Sequence, residues 1–174
     1  SEFEFNITYE VRENIMLDFI TSYNKNTVNS IGDKINFQLF GNGGANLTET
    51  GQSIGYFFGY RQIGIYQSTA ELGKMARFGN SLPGDIAYAD INGDGQLTPA
   101  DRTYLGTPFT PFSYGLNINV AYKGFDFTIE GQGVAGNKIY TQRRIANFAT
   151  LNYEANRLNA WTGGGTTNVE PILD

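Results

Sequence analysis

The 174-residue chain contains no cysteine and no histidine. Without cysteine there is no disulfide framework, thiolate nucleophile or thiolate metal ligand. Without histidine there is no imidazole base for a serine nucleophile and no ring nitrogen for zinc. Basic residues are few: 12 Lys and Arg against 17 Asp and Glu, a net charge of -5, with Arg143-Arg144 the only adjacent basic pair. No basic patch exists to meet a nucleic acid. There is also no run of about 18 apolar residues, which excludes a membrane helix but not membrane strands, whose hydropathy alternates. No signal peptide opens the chain. It begins in strand pattern at Ser1-Glu2-Phe3-Glu4 and ends in loop-like sequence at Glu170-Pro171-Ile172-Leu173-Asp174. Both ends read as cut from something longer, so residues 1–174 are expected to be a fragment. The lack of cysteine suits a bacterial exported protein.

What is abundant is glycine, 22 residues, and aromatics, 14% and nearly all Phe and Tyr. With Asn and Thr this reads as an all-β chain with many turns. Residues 2–11 alternate strictly, Phe3, Phe5, Ile7, Tyr9 and Val11 on one face and Glu2, Glu4, Asn6, Thr8 and Glu10 on the other. A link over Arg12–Ile15 leads to a second strand, Met16–Asn24. The pattern returns at 112–122, where Phe112, Tyr114, Leu116, Ile118, Val120 and Tyr122 share a face. Lys123-Gly124 is a two-residue turn, after which Phe125, Phe127 and Ile129 face one way and Asp126, Thr128, Glu130 and Gln132 the other.

The stretch with the most specific chemistry is Asp90 to Asp101. Oxygen-bearing side chains stand at loop positions 1, 3, 5, 9 and 12, namely Asp90, Asn92, Asp94, Thr98 and Asp101. Gly95 supplies a sharp turn at position 6, and Gln96 at position 7 would offer its backbone carbonyl. This is the oxygen-only, glycine-pivoted spacing that a hard cation such as calcium takes. The plainer alternative is a network of Asx turns with a capped helix start. Thr98 can cap a short helix with Pro99 as its first residue, and Asp101 has two jobs open to it, loop ligand and capping-box acid, which are not exclusive. That helix is expected to stop at Gly106 and Pro108.

Elsewhere, 34–40 reads as a strand piece and 51–66 as packed, glycine-rich extended chain. Residues 68–78 read as a helix capped by Ser68 with Glu71 three residues on. A short helix is also expected over Tyr153–Trp161. The glycine run at Gly41-Asn42-Gly43-Gly44 is followed by no P-loop lysine, which argues against phosphate.

Two strand pairs of about ten residues each, at about 2–24 and 112–134, meet at tight turns and lead into long connections, 25–111 and 135–174. Short turns at one end and long loops at the other fit an outer-membrane barrel, with the apolar face toward lipid. A soluble β-sandwich is the alternative, although its strands are usually shorter.

Several stretches carry a resemblance. They are Pro83-Gly84-Asp85-Ile86 through Asp90–Gly95, Asp101-Arg102-Thr103-Tyr104-Leu105-Gly106-Thr107-Pro108, Tyr114-Gly115-Leu116-Asn117, Tyr122-Lys123-Gly124-Phe125-Asp126 and Gln132–Asn137. In order, they resemble the C-terminal barrel region of the SusC/RagA family, TonB-dependent outer-membrane transporters of Bacteroidota. Gly51–Gly55, Phe58-Gly59-Tyr60 and Gly64-Ile65-Tyr66 are similar to its upstream segment, and Asn159-Ala160-Trp161-Thr162 to a later element that usually has Arg where Ala160 stands. The resemblance implies part of a large antiparallel transmembrane barrel, of about 22 strands in this family, with long extracellular loops and short helices. It further implies TonB acting through a plug domain not contained in these residues, a SusD-like surface lipoprotein as partner, a glycan or peptide substrate, and outer-membrane lipid around it.

The first expectation is therefore a segment of a nutrient importer that makes and breaks no covalent bond. Asn117, Asn119, Asp126, Thr128 and Glu130 would line the lumen as a hydrated wall, and a structural calcium would sit at Asp90, Asn92, Asp94, Gln96, Thr98 and Asp101. The second is a soluble, secreted calcium-binding β module with a dockerin-like loop. An enzyme is disfavoured: Asp126 and Glu130 lie four residues apart on one strand face, about 13 Å, too far for either glycosidase geometry.

Overall fold

The structure is a computed structural model that describes residues 2–32, 37–41, 44–141 and 155–172. The chain divides into two units, one of residues 1–57 and 106–140, the other of 58–105 and 141–174.

The first unit is built on a four-stranded antiparallel sheet. Its strands are β1 (Glu2–Arg12), β2 (Ile15–Asn24), β9 (Phe112–Tyr122) and β10 (Phe125–Ala135), adjacent in that order. Each of the four is ten or eleven residues long, about twice the usual soluble strand. Residues opposite one another across antiparallel strands lie on the same face, so the register sorts the side chains. Ile7, Phe19 and Leu116 make one cross-strand row, ending at Gly131. Tyr9, Leu17, Ile118 and Ile129 make the next. Phe3, Tyr23 and Phe112 close this face at one end, and Tyr122 and Phe125 close it at the other. The opposite face carries Glu4, Ser22 and Ser113 in one row and Thr8, Asp18, Asn117 and Glu130 in another.

The apolar face is not a core. Phe3 is 65% exposed, Phe127 61% and Phe125 79%, so among the described residues nothing covers it there. A soluble sandwich would pack a second sheet against such a face. The four strands leave β1 and β10 as open edges, and the sheet is not closed into a barrel within the described residues.

Both tight turns lie at the same end of this sheet. Ala121 N–H donates to Asn14 O (2.9 Å), and Asn14 Nδ2 donates back to Ala121 O (2.9 Å). Lys123 and Gly124 both take positive φ, 47° and 81°, the mirror-image turn whose twist matches a two-residue hairpin. At the other end, Asn24 N–H donates to Pro111 O (2.7 Å), where the chain leaves and re-enters the sheet.

The segment expected as a long loop carries strands of its own: β3 (Phe37–Phe40), β4 (Asn46–Glu49), β5 (Tyr56–Tyr60), β6 (Gln62–Ile65), β7 (Ile86–Tyr88) and β8 (Arg102–Gly106). In the second unit β6 pairs with β7, and Tyr66, Leu72 and Ala87 form a small core against which Met75 packs.

The expectation of short helices is corrected. Over 68–78 only α1 (Thr69–Leu72) forms. Ser68 caps it by accepting from Glu71 N, and Glu71 Oε2 accepts from Gln67 N (2.8 Å), so the helix starts where its capping residues place it. Gly73 ends it as C-cap after one turn, consistent with glycine's poor helix propensity. After Thr98 there is a single 3-10 turn, Pro99–Asp101, and Arg102 leaves it extended (φ -71°, ψ 140°) into β8. The Arg102 guanidinium donates to Phe58 O (3.0 Å) and lies 4.6 Å from the centre of the Phe58 ring, which draws this segment alongside β5. Near the C-terminus Ala155–Asn159 is a 3-10 turn, while Tyr153 and Glu154 lie outside the described residues.

Candidate functional site

The loop from Asp90 to Asp101 lies in the second unit directly after β7. Ala89 before it and Leu97 within it are buried, and Ala89 N–H donates to Arg61 O (2.9 Å), so its base is anchored. The tip is exposed from Ile91 to Gln96. Gly93 and Gly95 both take positive φ, 75° and 80°, a backbone that L side chains rarely adopt. Gly95 was legible as a pivot from spacing. Gly93 is a second pivot that the spacing rule does not name.

Asp90 Oδ1 accepts from Gly93 N–H (2.7 Å) and its Oδ2 from Gly95 N–H (2.8 Å). Asn92 Oδ1 accepts from Asp94 N–H (3.0 Å), and Asn92 Nδ2 donates to Asp94 Oδ2 (2.9 Å). Asp94 Oδ1 accepts from Gln96 N–H (2.8 Å). Each of these oxygens holds one donor and keeps a second lone pair.

Asp101 is different. Its side chain is wholly buried. Oδ1 accepts from Ile91 N–H (2.9 Å) and, more weakly, from Asn92 N–H (3.5 Å). Oδ2 accepts from Thr98 N–H (2.8 Å) and Thr98 Oγ1–H (3.3 Å). Thr98 in turn caps the 3-10 turn, accepting from Ala100 N–H (3.2 Å). Asp101 thus performs the capping-box job and also ties the end of the loop to its beginning. The Thr98 backbone bond is the largest of the contacts that hold its carboxyl below the ordinary carboxylate range. Burial acts the other way, and the Ile91 and Asn92 bonds add to the lowering. This carboxylate accepts four hydrogen bonds, the one from Asn92 N–H the weakest. Among the described residues, no three acidic side chains come together as a cluster that could hold a metal ion.

The polar face of the four-stranded sheet is the second place of interest. Asp18, Asn117 and Glu130 stand side by side on β2, β9 and β10. They border a concavity of about 860 Å3 shared with Ser113 and Gln132. Thr128 Oγ1 donates to Asn119 Oδ1 (2.8 Å) on neighbouring strands. Asp126, Thr128 and Glu130 share this face, as their alternation predicts.

Fold and sites together define an all-β protein whose longest-stranded sheet is antiparallel and two-faced, one face apolar and bare among the described residues, the other polar. No protein-family model matches the chain. It is similar to three proteins of Formosa agariphila that are named TonB-dependent receptors. TonB-dependent receptor P3 is 35% identical over 128 residues, 72% of this chain and 13% of the relative. TonB-dependent receptor P26 is 31% identical over 127 residues, 70% of this chain and 13% of the relative. TonB-dependent receptor P39 is 28% identical over 196 residues, 90% of this chain and 18% of the relative. The chain therefore spans less than a fifth of the length of these relatives. None of the three names is that of an enzyme, and none favours the soluble dockerin-like alternative.

Proposed function

We propose that this chain supplies part of the transmembrane wall and extracellular loops of a TonB-dependent nutrient importer in the outer membrane of a Gram-negative, Bacteroidota-like cell. The observation that carries the reading is the bare apolar face of the four-stranded sheet. An eleven-residue strand spans about 34 Å, and a tilt of about 40° brings this to about 26 Å, close to the apolar band of an outer-membrane barrel. Aromatic residues at both ends of the face suit the interfacial girdles. The similarity to TonB-dependent receptors supports the same assignment.

In this reading the sheet closes with further strands at β1 and β10. The Glu13-Asn14 and Lys123-Gly124 turns face the periplasm and the loop at Asp90 faces outward. The SusC/RagA type of receptor, with a SusD-like lipoprotein over the barrel and an oligosaccharide or peptide as cargo, is the finer assignment that the quoted motifs favour. The chain's own residues do no bond chemistry. Asp18, Asn117, Asn119, Thr128 and Glu130 present a hydrated wall to the cargo's path. The full-length protein should partition into the outer membrane and need detergent for extraction, and its deletion should abolish growth on one oligosaccharide or peptide source. Recovery in the soluble fraction overturns the assignment.

For the loop we propose a structural calcium held by Asp90, Asn92 and Asp94 through their remaining lone pairs, with the Gln96 carbonyl and Thr98 completing the oxygen set. Asp101 joins only by releasing a loop hydrogen bond. Bound there, calcium would supply charge neutralisation and rigidity. Calcium titration of the wild type against Asp94→Ala tests it. A calcium-dependent rise in melting temperature is expected in the wild type alone, and identical melting with calcium and with chelator refutes the site.

A further inference from the structure

Asn92 is followed by Gly93 on the exposed tip of the loop. An Asn-Gly pair is a reactive setting for imide closure, because glycine has no Cβ to hinder its own nitrogen from approaching the asparagine side-chain carbon. Each group that would react is restrained here. Gly93 N–H, the nucleophile, donates to Asp90 Oδ1 (2.7 Å). The Asn92 side-chain carbonyl accepts from Asp94 N–H (3.0 Å), and its leaving amide donates to Asp94 Oδ2 (2.9 Å).

We propose that Asn92 is a latent self-modification site, a deamidation centre kept unreacted by Asp90. In the reaction Gly93 N bonds to Asn92 Cγ and the Cγ–Nδ2 bond breaks. The proton lost from Gly93 N leaves with Nδ2 as ammonia, and water then opens the cyclic imide to aspartate or isoaspartate. Water is the only other reactant. The bond to Asp90 holds the Gly93 nitrogen in the loop and away from Cγ. Closure has to release this charge-assisted bond, and the tenfold slowing expected from it corresponds to about 1.4 kcal/mol.

Neither product keeps the Asn92 Nδ2 bond to Asp94. Isoaspartate routes the backbone through the former side chain, adding a methylene between Asn92 and Gly93. The Asp90 bonds to Gly93 and Gly95 then lose their register with the Asn92–Asp94 pair. Either product also sets a new carboxylate between Asp90 and Asp94, and like charges at this spacing repel. This inference rests on neither the calcium site nor the transport assignment.

The test ages purified full-length protein at mildly alkaline pH with chelator throughout, native and in urea. Conversion is read by peptide mass analysis with an isoaspartate assay. The other Asn-Gly pair, Asn42-Gly43, lies outside the described residues and is read in the same digests as an internal reference. Asn92 conversion in the native wild type is expected to be at least about tenfold slower than in urea. Asp90→Ala should bring the native rate close to the urea rate at a temperature well below the variant's own melting point. Asp90→Asn, which keeps an acceptor oxygen, should fall between. Equal native and urea rates in the wild type overturn the proposal. So does an Asp90→Ala variant that converts as slowly as the wild type, or one that converts fast only because it has melted.

Discussion

At Asp101 one carboxylate collects N–H groups from Ile91, Asn92 and Thr98 and the hydroxyl of Thr98, all while fully buried. These bonds favour the charged form in the fold and are absent in the unfolded chain, so the folded pKa lies below the ordinary value. The sign follows from linkage. The contribution is complete above the ordinary carboxylate pKa and is lost as pH falls through the lowered, folded value. The loop should therefore survive acidification past the point where exposed carboxylates protonate. Amide resonances of Ile91 and Thr98, followed on acidification, should shift only below the usual carboxylate range. Asp101→Asn turns one acceptor oxygen into an NH2 donor facing other donors. It should free those same amides to exchange at neutral pH and leave the Lys123-Gly124 turn unaffected. Protection unchanged by the substitution would remove Asp101 from this role. Sequence spacing named both of its jobs, ligand and cap. That the capping carboxylate also gathers Ile91 and Asn92 depends on those amides coming within reach of it, which spacing does not contain.

Among elements, β9 is where the faces separate most cleanly. Ile118 lies mid-face between Leu17 and Ile129, while Asn117 lies on the other side between Asp18 and Glu130. If the apolar face meets hydrocarbon, Ile118→Arg should cost about 2–4 kcal/mol near the bilayer midplane and sharply reduce folded protein in the outer membrane. Asn117→Arg faces carboxylates and should assemble normally. Heat-modifiability on gels reads the difference, and equal loss in both variants would mean that neither face is lipid. The period-2 pattern of β1, β2, β9 and β10 was plain from sequence because each strand's alternation is local. The strand β8 was not. Its five residues follow a helix-start signature, and their extended form is supported by Arg102 reaching Phe58, a contact between distant parts of the chain.

At the scale of the molecule, the four-stranded sheet has, among the described residues, a bare apolar face and two open edges, β1 and β10, each eleven residues long. Long, exposed apolar edges are templates for unwanted pairing. Residues 1–174 expressed alone and transferred to water without amphiphile should aggregate and bind a hydrophobic dye, while detergent micelles should keep them dispersed. Light scattering measures this, and a monodisperse, dye-silent protein in plain buffer would contradict the membrane reading.

The sequence by itself determined the long hairpins, their turns, the sorting of apolar from polar faces, the Ser68 cap and the glycine-pivoted oxygen loop. All of these arise within a few residues, where alternation, turn residues and capping act directly. Only the tertiary structure decided that β2 pairs with β9 across the long intervening segment and that this segment is itself stranded. It also decided that α1 is one turn long and that Asp101 closes the loop from inside it. Those outcomes depend on which backbone donors and acceptors meet after the chain has folded back. Local pattern makes a strand or a turn available, and the partner that satisfies its hydrogen bonds is supplied from elsewhere in the chain.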